Sequence, residues 1–253
     1  MSKGADVSRE ASRISAMFDA IAPRYDFLNH LLSAGIDRSW RRRAIRSLHL
    51  SGRETVLDLC TGTGDLAIEA RQAAPGAALV LGVDFSSVML ELGVKKLRSR
   101  RLDNAIALVR GDASTIPVAD RSVDAVTIAF GIRNVADRGA ACREMLRVLK
   151  PGGRLAILEF AMPTSPVVRW LYLSYFRHIL PRIGAWISGH DSAYAYLPAS
   201  VDAFEPAEFV DLLRTSGFVD VTADPMTFAS VFLYTARRAS SLQARAPSPL
   251  GPV

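Results

Sequence analysis

Residues 55–67 read TVLDLCTGTGDLA, and this stretch constrains the fold of the chain more than any other. A short apolar run at 56–59 leads into a tight turn with Gly62 and Gly64, and a helical pattern begins at Asp65. Glycine permits a sharp turn and a close approach of a ligand, because it has no Cβ atom. Strand, glycine turn and helix in this order are typical of an α/β sheet that binds a ligand at the carboxyl ends of its strands.

The glycine turn does not by itself identify the ligand, because the spacing of Gly62, Gly64 and Ala67 also fits the dinucleotide-binding fingerprint. Two carboxylates flank the turn, since Asp58 lies near the end of the strand and Asp65 at the start of the helix. They would repel a pyrophosphate but suit a cationic amine or sulfonium. We therefore expect S-adenosylmethionine as the ligand. A purely structural strand–helix turn is the alternative.

Acidic residues also follow the next two predicted strands. Strand two, at 78–83, ends at Asp84, and strand three, at 105–110, is followed by Asp112. A carboxylate at Asp84 can accept hydrogen bonds from both hydroxyls of a ribose, although it could also cap the helix that follows. A carboxylate at Asp112 can accept a hydrogen bond from an adenine amino group. Both positions therefore predict contacts to a nucleoside.

The alternation of apolar runs and helical patterns predicts the architecture. Strands four and five are expected at 123–130 and 154–160, and two closely spaced strands at 219–223 and 227–236 predict an antiparallel pair. The fold class is α/β, with a Rossmann-like, seven-stranded, mostly parallel sheet and helices on both faces.

Three regions are expected around this core, which spans residues 51–236. Residues 1–50 form an N-terminal helical cap, and residues 163–201 form an insertion after strand five that acts as a lid. Residues 237–253 contain three prolines and are predicted to be a disordered tail. The insertion is rich in aromatic and basic residues, so it must pack against the fold, a partner or a membrane interface.

The net charge of +6 and the pI of about 9.7 indicate anionic surroundings, such as nucleic acid, a membrane surface or an acidic substrate. Five arginines between residues 38 and 46 are either a solvated face or a surface for anionic lipid head groups. Cys60 and Cys142 have no metal-ligand spacing, so a reducing cytoplasm and no metal site are expected. Cys60 could be a nucleophile, but its place in the glycine turn favours packing. Neither a secretory signal nor an apolar run of ~20 residues is visible.

Four strings of the sequence resemble those of a known family. They are MFDAIAPRYDFLNHLLSAGID at 17–37, TGTGDLA at 61–67, FGIRNV at 130–135 and LKPGGRLAILEF at 149–160. They are similar to strings of the quinone-biosynthesis C-methyltransferases, which are class I S-adenosylmethionine-dependent methyltransferases and methylate demethylmenaquinone or a ubiquinone precursor. The resemblance implies a set of cofactor-binding residues, namely Asp58, Gly62, Thr63, Gly64, Asp84, Phe85, Asp112, Ala113 and Ala129.

The resemblance also implies catalytic roles for residues that follow strand four. Arg133 would stabilise the phenolate oxyanion of a quinol, and Asn134 would orient its hydroxyl group. Tyr25, or a water held by Arg133 and Asp112, would relay the proton. Arginine is itself a poor base, because it stays protonated. The alternative role of Arg133 is an ion pair with Glu159 or Asp137.

The implied substrate is a lipid-soluble polyprenyl quinol, most simply demethylmenaquinol; a ubiquinone-precursor benzoquinol or a different aromatic molecule is the alternative. A peripheral position on the anionic inner face of the cell membrane would follow, and a homodimer stays open.

Two other classes of function are alternatives to a quinol methyltransferase. The basic pI suggests a nucleic-acid methyltransferase, but residues 130–134 lack the Asn/Asp-Pro-Pro-Tyr string of the amino-methylating enzymes, and no nucleic acid is expected. A non-catalytic scaffold would not need the acids at 58, 84 and 112.

Overall fold

A computed structural model describes residues 19, 22, 33, 35–74, 76, 79–175 and 200–240. Some of the predictions lie outside these residues. They concern Tyr25, most of the N-terminal cap, residues 176–199 of the insertion and residues 241–253 of the tail. In the described ranges, no helix is both long enough and apolar enough to cross a bilayer.

Seven strands form one sheet. They are β1 (Thr55–Leu59), β2 (Leu79–Asp84), β3 (Ile106–Arg110), β4 (Val123–Ala129), β5 (Leu149–Phe160), β6 (Phe218–Met226) and β7 (Val231–Arg238). Their order across the sheet is β3-β2-β1-β4-β5-β7-β6. Strands β1 to β5 are parallel to one another, whereas β7 runs antiparallel to both β5 and β6. The prediction of a seven-stranded, mostly parallel sheet with an antiparallel end pair is confirmed.

Helices cover both faces of the sheet, as predicted. Successive residues of a strand point to opposite faces, so Val56 belongs to one cluster of buried apolar residues and Leu57 to the other. The described helices are α1 (Asp37–Ser47), α2 (Asp65–Ala73), α3 (Ser87–Ser99), α4 (Arg138–Val148), α5 (Pro166–Ser174) and α6 (Pro206–Thr215), with a short 3-10 helix at Ile132–Asn134. The cluster of Val56 includes residues of α1, α2 and α3, and the cluster of Leu57 includes residues of α4 and α6.

The strand boundaries near the sheet edge differ from the predicted ones. β6 continues through Pro225 to Met226, because β6 is the edge strand and a proline is tolerated where no further strand pairs. β7 extends to Arg238, so the predicted start of a disordered tail at residue 237 is wrong for the first two residues. Arg238 is held there because its Nη1 donates to the carbonyl oxygens of Leu146 and Leu149, each at 2.7 Å.

The turns that follow the central strands β1 and β4 pack directly on each other. Cys60 and Phe130 both adopt a left-handed backbone, with φ of 51° and 60°. A Cβ atom added at Gly131 would lie 2.3 Å from the Cβ of Cys60. Two carbon atoms that are not bonded to each other cannot approach so closely, so Gly131 is required for the two turns to pack together.

We expect Gly131→Ala to lower the free energy of unfolding by about 1–3 kcal/mol, because the added methyl group overpacks the contact between the two turns. The matched control is Gly139→Ala in α4, where the added Cβ would approach no atom more closely than the flexible end of Arg143 at 3.3 Å. Thermal denaturation should show a lower Tm for the first variant only. The double variant Cys60→Gly/Gly131→Ala should recover most of the loss. Equal Tm values for the two alanine variants would contradict this packing.

Candidate active site

The loops that follow β1, β2, β3 and β4 lie side by side along one edge of the sheet, because the parallel strands are neighbours in the order β3-β2-β1-β4. Strand order reverses between β1 and β4, and ligands of open α/β sheets bind in the crevice at such a point. The residues predicted to bind the cofactor, from Asp58 to Ala129, come from the carboxyl ends of these four strands and from the loops that follow them. The structure therefore brings them to one edge, and their contacts to a ligand stay a prediction.

The glycine turn is tied to the end of β2. Gly64, the residue before α2, has a left-handed backbone with φ of 86°, which allows the chain to pass from strand to helix. The amide of Gly62 donates to Oδ2 of Asp84 at 2.8 Å, and the amide of Thr61 donates to the carbonyl of Val83 at 3.1 Å. These bonds fix the turn at the carboxyl ends of two adjacent strands.

Asp84 is held so that it can still accept further hydrogen bonds. Its Oδ1 accepts from the amide of Ser86 at 2.9 Å, and a carboxylate has about four lone-pair sites, so that acceptor capacity remains beside the backbone donors. Burial raises the pKa of Asp84. Ser86 also caps α3 and donates its hydroxyl to Asp19 of the N-terminal region. The expected ribose-binding carboxylate thus lies in place beside a residue of the cap.

Phe85 and Asp112 lie beyond Asp84, at the outer end of the crevice. Oδ1 of Asp112 accepts from the amide and the hydroxyl of Ser114 at 2.7 and 2.8 Å, which fixes the carboxylate. Phe85 is exposed, and the guanidinium of Arg110 lies 5.8 Å from the centre of its ring. An exposed aromatic ring and a fixed carboxylate are suited to a planar nucleobase that carries an amino group.

Asp58 is buried between the two central strands. Its Oδ2 accepts from the hydroxyl of Thr61 at 2.6 Å, and its Oδ1 accepts from the hydroxyl of Thr127 at 2.7 Å. Burial raises the pKa of Asp58 to about 6, although the two hydroxyl donors and the nearby Arg41 act in the opposite direction. A cation that binds beside Asp58 would favour its ionised form.

Two basic residues on helices line the glycine turn. Arg41 of α1 is buried and shares a small pocket with Asp58, Thr63 and Ala129. Lys96 of α3 donates to Oγ1 of Thr63 at 2.8 Å and to Oδ1 of Asp65 at 2.6 Å. The expectation that the arginines between residues 38 and 46 form a solvated face or a lipid-binding surface is therefore wrong for Arg41, whereas Arg38, Arg42, Arg43 and Arg46 are exposed.

Arg133 lies in the 3-10 helix after β4 and is paired with Glu159 of β5. Its Nη1 donates to Oε1 of Glu159 at 2.5 Å and to the carbonyl of Phe130 at 2.8 Å, while its own amide donates to Oε2 of Glu159 at 3.1 Å. Both side chains are almost fully buried. The ion pair that we weighed as the alternative role of Arg133 is present, and it fixes the guanidinium at the crevice beside Asn134.

Tyr172 of α5 is a neighbour of this ion pair that the sequence did not single out. Burial raises the pKa of its phenol, and the charges of Arg133 and Glu159 act on it in opposite directions. The first helix of the predicted insertion therefore reaches the residues that follow β4 and β5. Its aromatic and aliphatic pattern indicated burial but not which residue would face the site.

One proton relay that we considered does not agree with the fold. Two strands, β2 and β1, lie between β3 and β4, so the loops of Asp112 and Arg133 are separated by about 14 Å at the usual strand spacing. Arg133 also points towards β5, away from β3. A single water held by both residues is therefore excluded. The relay through Tyr25 lies outside the described residues and stays a prediction.

Comparison with known proteins identifies the family. The profile of the ubiE/COQ5 methyltransferase family matches residues 6–238. A ubiquinone/menaquinone biosynthesis C-methyltransferase UbiE from Syntrophotalea carbinolica is 50% identical over 88% of this chain and 92% of its own. A demethylmenaquinone methyltransferase from Deinococcus radiodurans is 47% identical over 84% of this chain and 88% of its own. The chain belongs to the ubiE/COQ5 methyltransferase family.

Solved structures agree on the fold. The [4+2]-cyclase SpnF superposes with a TM-score of 0.67 at 17% identity, covering 90% of this chain and 96% of its own. A SAM-dependent methyltransferase from Aquifex aeolicus superposes with a TM-score of 0.58 at 19% identity, covering 78% and 88%. At these identities the likeness concerns the fold alone, which is the class I methyltransferase fold.

The methyl donor of the ubiE/COQ5 methyltransferase family, S-adenosylmethionine, fits the residues present. Asp58 and Asp65 would hold the cationic amino-acid end at the glycine turn, and Asp84 and Asp112 would accept hydrogen bonds from ribose and adenine; these contacts stay predictions. Cys60 lies among these acids, and burial together with their negative charge raises the pKa of its thiol. A protonated thiol is a poor nucleophile, so the packing role of Cys60 against Gly131 agrees with its environment.

We expect the affinity for S-adenosylmethionine to fall as the pH drops below about 6. The folded-state pKa of Asp58 is raised to about 6, so the free protein protonates this group there and loses the negative charge that attracts the ligand. Isothermal titration calorimetry between pH 5 and pH 8 should show this fall. Near pH 6, binding of the ligand should release a proton from Asp58. Asp58→Asn should bind more weakly at pH 8 and lose this pH dependence. An unchanged profile in Asp58→Asn would assign the titration to another group.

Proposed function

We propose that this member of the ubiE/COQ5 methyltransferase family transfers a methyl group from S-adenosylmethionine to a ring carbon of a polyprenyl quinol, with demethylmenaquinol converted to menaquinol. Its relatives support this substrate, since they include a demethylmenaquinone methyltransferase from Thermus thermophilus that is 43% identical over its whole length. A benzoquinol precursor of ubiquinone is the second candidate, because other relatives are named for both pathways. The observation that carries the proposal is the buried Arg133 at the crevice edge.

The reaction requires an activated ring carbon and accurate alignment. When bound, S-adenosylmethionine supplies the methyl group from its sulfonium. A quinol carbon becomes nucleophilic as the neighbouring hydroxyl loses its proton, so a residue that favours the phenolate accelerates the reaction. The walls of the crevice hold the reacting atoms in line, and such positioning supplies much of the rate enhancement in a direct displacement.

Arg133 is suited to stabilise that phenolate. Its guanidinium is buried, lies 5.4 Å from the centre of the Phe160 ring, and is fixed by Glu159. In such surroundings charges are poorly screened, so an oxyanion beside the guanidinium is stabilised more strongly than in water. Glu159 balances the charge of Arg133 while the site is empty of phenolate. Asn134, the next residue, is proposed to orient the hydroxyl, and Tyr25 to relay the proton.

We expect Arg133→Lys to reduce kcat by about 10²–10³-fold with an unchanged Kd for S-adenosylmethionine, because the planar guanidinium is lost while a cation remains. A variant that removes only the charge of Arg133 would leave the buried Glu159 without its ion-pair partner. The double variant Arg133→Gln/Glu159→Gln therefore removes both charges together. Transfer of a labelled methyl group to demethylmenaquinol measures turnover. Arg143→Ala, at an exposed position on α4, is the control. Full turnover in both Arg133 variants would overturn this role.

A peripheral position at an anionic membrane surface is proposed from the exposed apolar residues of α5. Val167, Trp170 and Leu171 are 68%, 66% and 55% exposed, and Phe228, in the turn between β6 and β7, is 77% exposed. Because α5 follows β5 and this turn precedes β7, both lie at the carboxyl edge of the parallel strands. A polyprenyl quinol would reach the crevice from this edge. The homodimer that the sequence left open stays a prediction.

We expect Trp170→Ser/Leu171→Ser to weaken binding to vesicles of anionic phospholipid, because apolar area buried in the interface drives such binding. Co-sedimentation at low salt measures the bound fraction, and Trp fluorescence of the parent should shift to shorter wavelength. Leu79→Ser, at an exposed apolar position on the opposite edge, is the matched control. Equal binding of the two variants, or no binding of the parent protein, would contradict the membrane proposal.

A further inference from the structure

Arg41 is a buried cation at the amino-acid end of the cofactor crevice. It belongs to α1, in the N-terminal cap, yet its side chain is only 7% exposed. It lines the same small pocket as Asp58, Thr63 and Ala129. Its guanidinium lies 5.9 Å from the centre of the Phe130 ring, so it reaches from the cap to the turn after β4. None of the site roles considered above uses this residue.

The hydrogen bonds of Arg41 leave most of its donors for a ligand. A guanidinium carries five N–H donors. Within the described part of the chain, Arg41 donates one hydrogen bond, from Nη1 to Oδ2 of Asp37. Its Nη2 lies 3.9 Å from Oδ2 of Asp65, which is too long for a hydrogen bond. A buried cation with donors to spare indicates that the pocket accepts an anionic group.

The charges around the pocket point to the same conclusion. Among the described residues, Asp37, Asp58 and Asp65 lie near Arg41 and Lys96, so that acidic groups outnumber the basic ones at this end of the crevice. S-adenosylmethionine carries two cations, the sulfonium and the ammonium, and one carboxylate, so it complements that excess. The carboxylate itself needs a cation. Lys96 is already held by Thr63 and Asp65 at 2.8 and 2.6 Å, so Arg41 is the cation with donors available.

We propose that Arg41 binds the carboxylate of the methionyl group of S-adenosylmethionine, while the acids of the glycine turn bind its ammonium. The pocket would then recognise a zwitterionic amino-acid end, and α1 would form one wall of the cofactor site. The inference rests on S-adenosylmethionine as the methyl donor and is independent of the quinol acceptor. It is tested by binding alone, so its failure is distinguishable from failure of the proposed reaction.

The test compares S-adenosylmethionine with decarboxylated S-adenosylmethionine, which lacks only the carboxylate. Isothermal titration calorimetry gives the Kd of both ligands for the parent protein and for Arg41→Gln. A charge-assisted hydrogen bond predicts that the parent prefers the carboxylated ligand by about 10–100-fold. In Arg41→Gln this preference should fall to a few-fold, mainly through weaker binding of the carboxylated ligand. The four Kd values form a cycle that isolates the contact between Arg41 and the carboxylate.

Loss of Arg41 also removes an ion-pair partner from the buried Asp37, which can destabilise the fold. The double variant Asp37→Asn/Arg41→Gln removes both charges and should show the same loss of preference. Arg42→Ala is the matched control, since Arg42 is exposed on the same helix and should keep the preference of the parent. An undiminished preference in the double variant, or equal binding of both ligands by the parent, would overturn the assignment.

Discussion

A carboxylate buried between the two central strands determines the cofactor side of this site. Asp58 and Thr127 are register partners on β1 and β4, and the hydroxyl of Thr127 donates to one carboxylate oxygen of Asp58. The hydroxyl of Thr61, in the glycine turn, donates to the other oxygen. Burial opposes ionisation of Asp58, so the free protein loses stability as the pH rises through about 6. A bound cation offsets that cost, because it favours the ionised carboxylate. One group thus links the two central strands and the glycine turn, and in our proposal it also selects a cationic ligand.

A buried ion pair, Arg133 with Glu159, organises the part of the crevice that we propose for the methyl acceptor. Glu159 accepts hydrogen bonds from both the side chain and the backbone of Arg133, so one carboxylate fixes the guanidinium and the 3-10 helix that carries it. Such a pair is costly to bury, and it contributes geometry more than stability. In our proposal, the crevice uses that geometry to hold a phenolate beside a cation. Asp58 lies near the end of β1 and Arg133 follows the adjacent strand β4, so our proposal puts methyl donor and acceptor next to each other.

Much of this arrangement could be predicted from the sequence. Apolar runs mark the buried parallel strands, and parallel strands bring their following loops to one edge, so the positions of Asp84 and Arg133 follow from pattern alone. The positions of Arg41 and Lys96 beside the glycine turn were missed, because charged residues on a helix are usually solvated. Periodicity did carry the information, since Arg41 lies three, four and seven residues before Ala44, Ile45 and Leu48 on one buried face. The pairing of Arg133 with Glu159 instead of Asp137 depends on tertiary packing, which one sequence does not encode in its spacing.

The central claim, methylation of a polyprenyl quinol, is tested most directly by the lipid quinones of cells that lack this protein. Mass spectrometry of their quinone pool should show demethylmenaquinone in place of menaquinone, and expression of the parent chain should restore menaquinone. Accumulation of a demethylated ubiquinone precursor would instead select the benzoquinol substrate. A quinone pool identical to that of the parent cells would contradict the account.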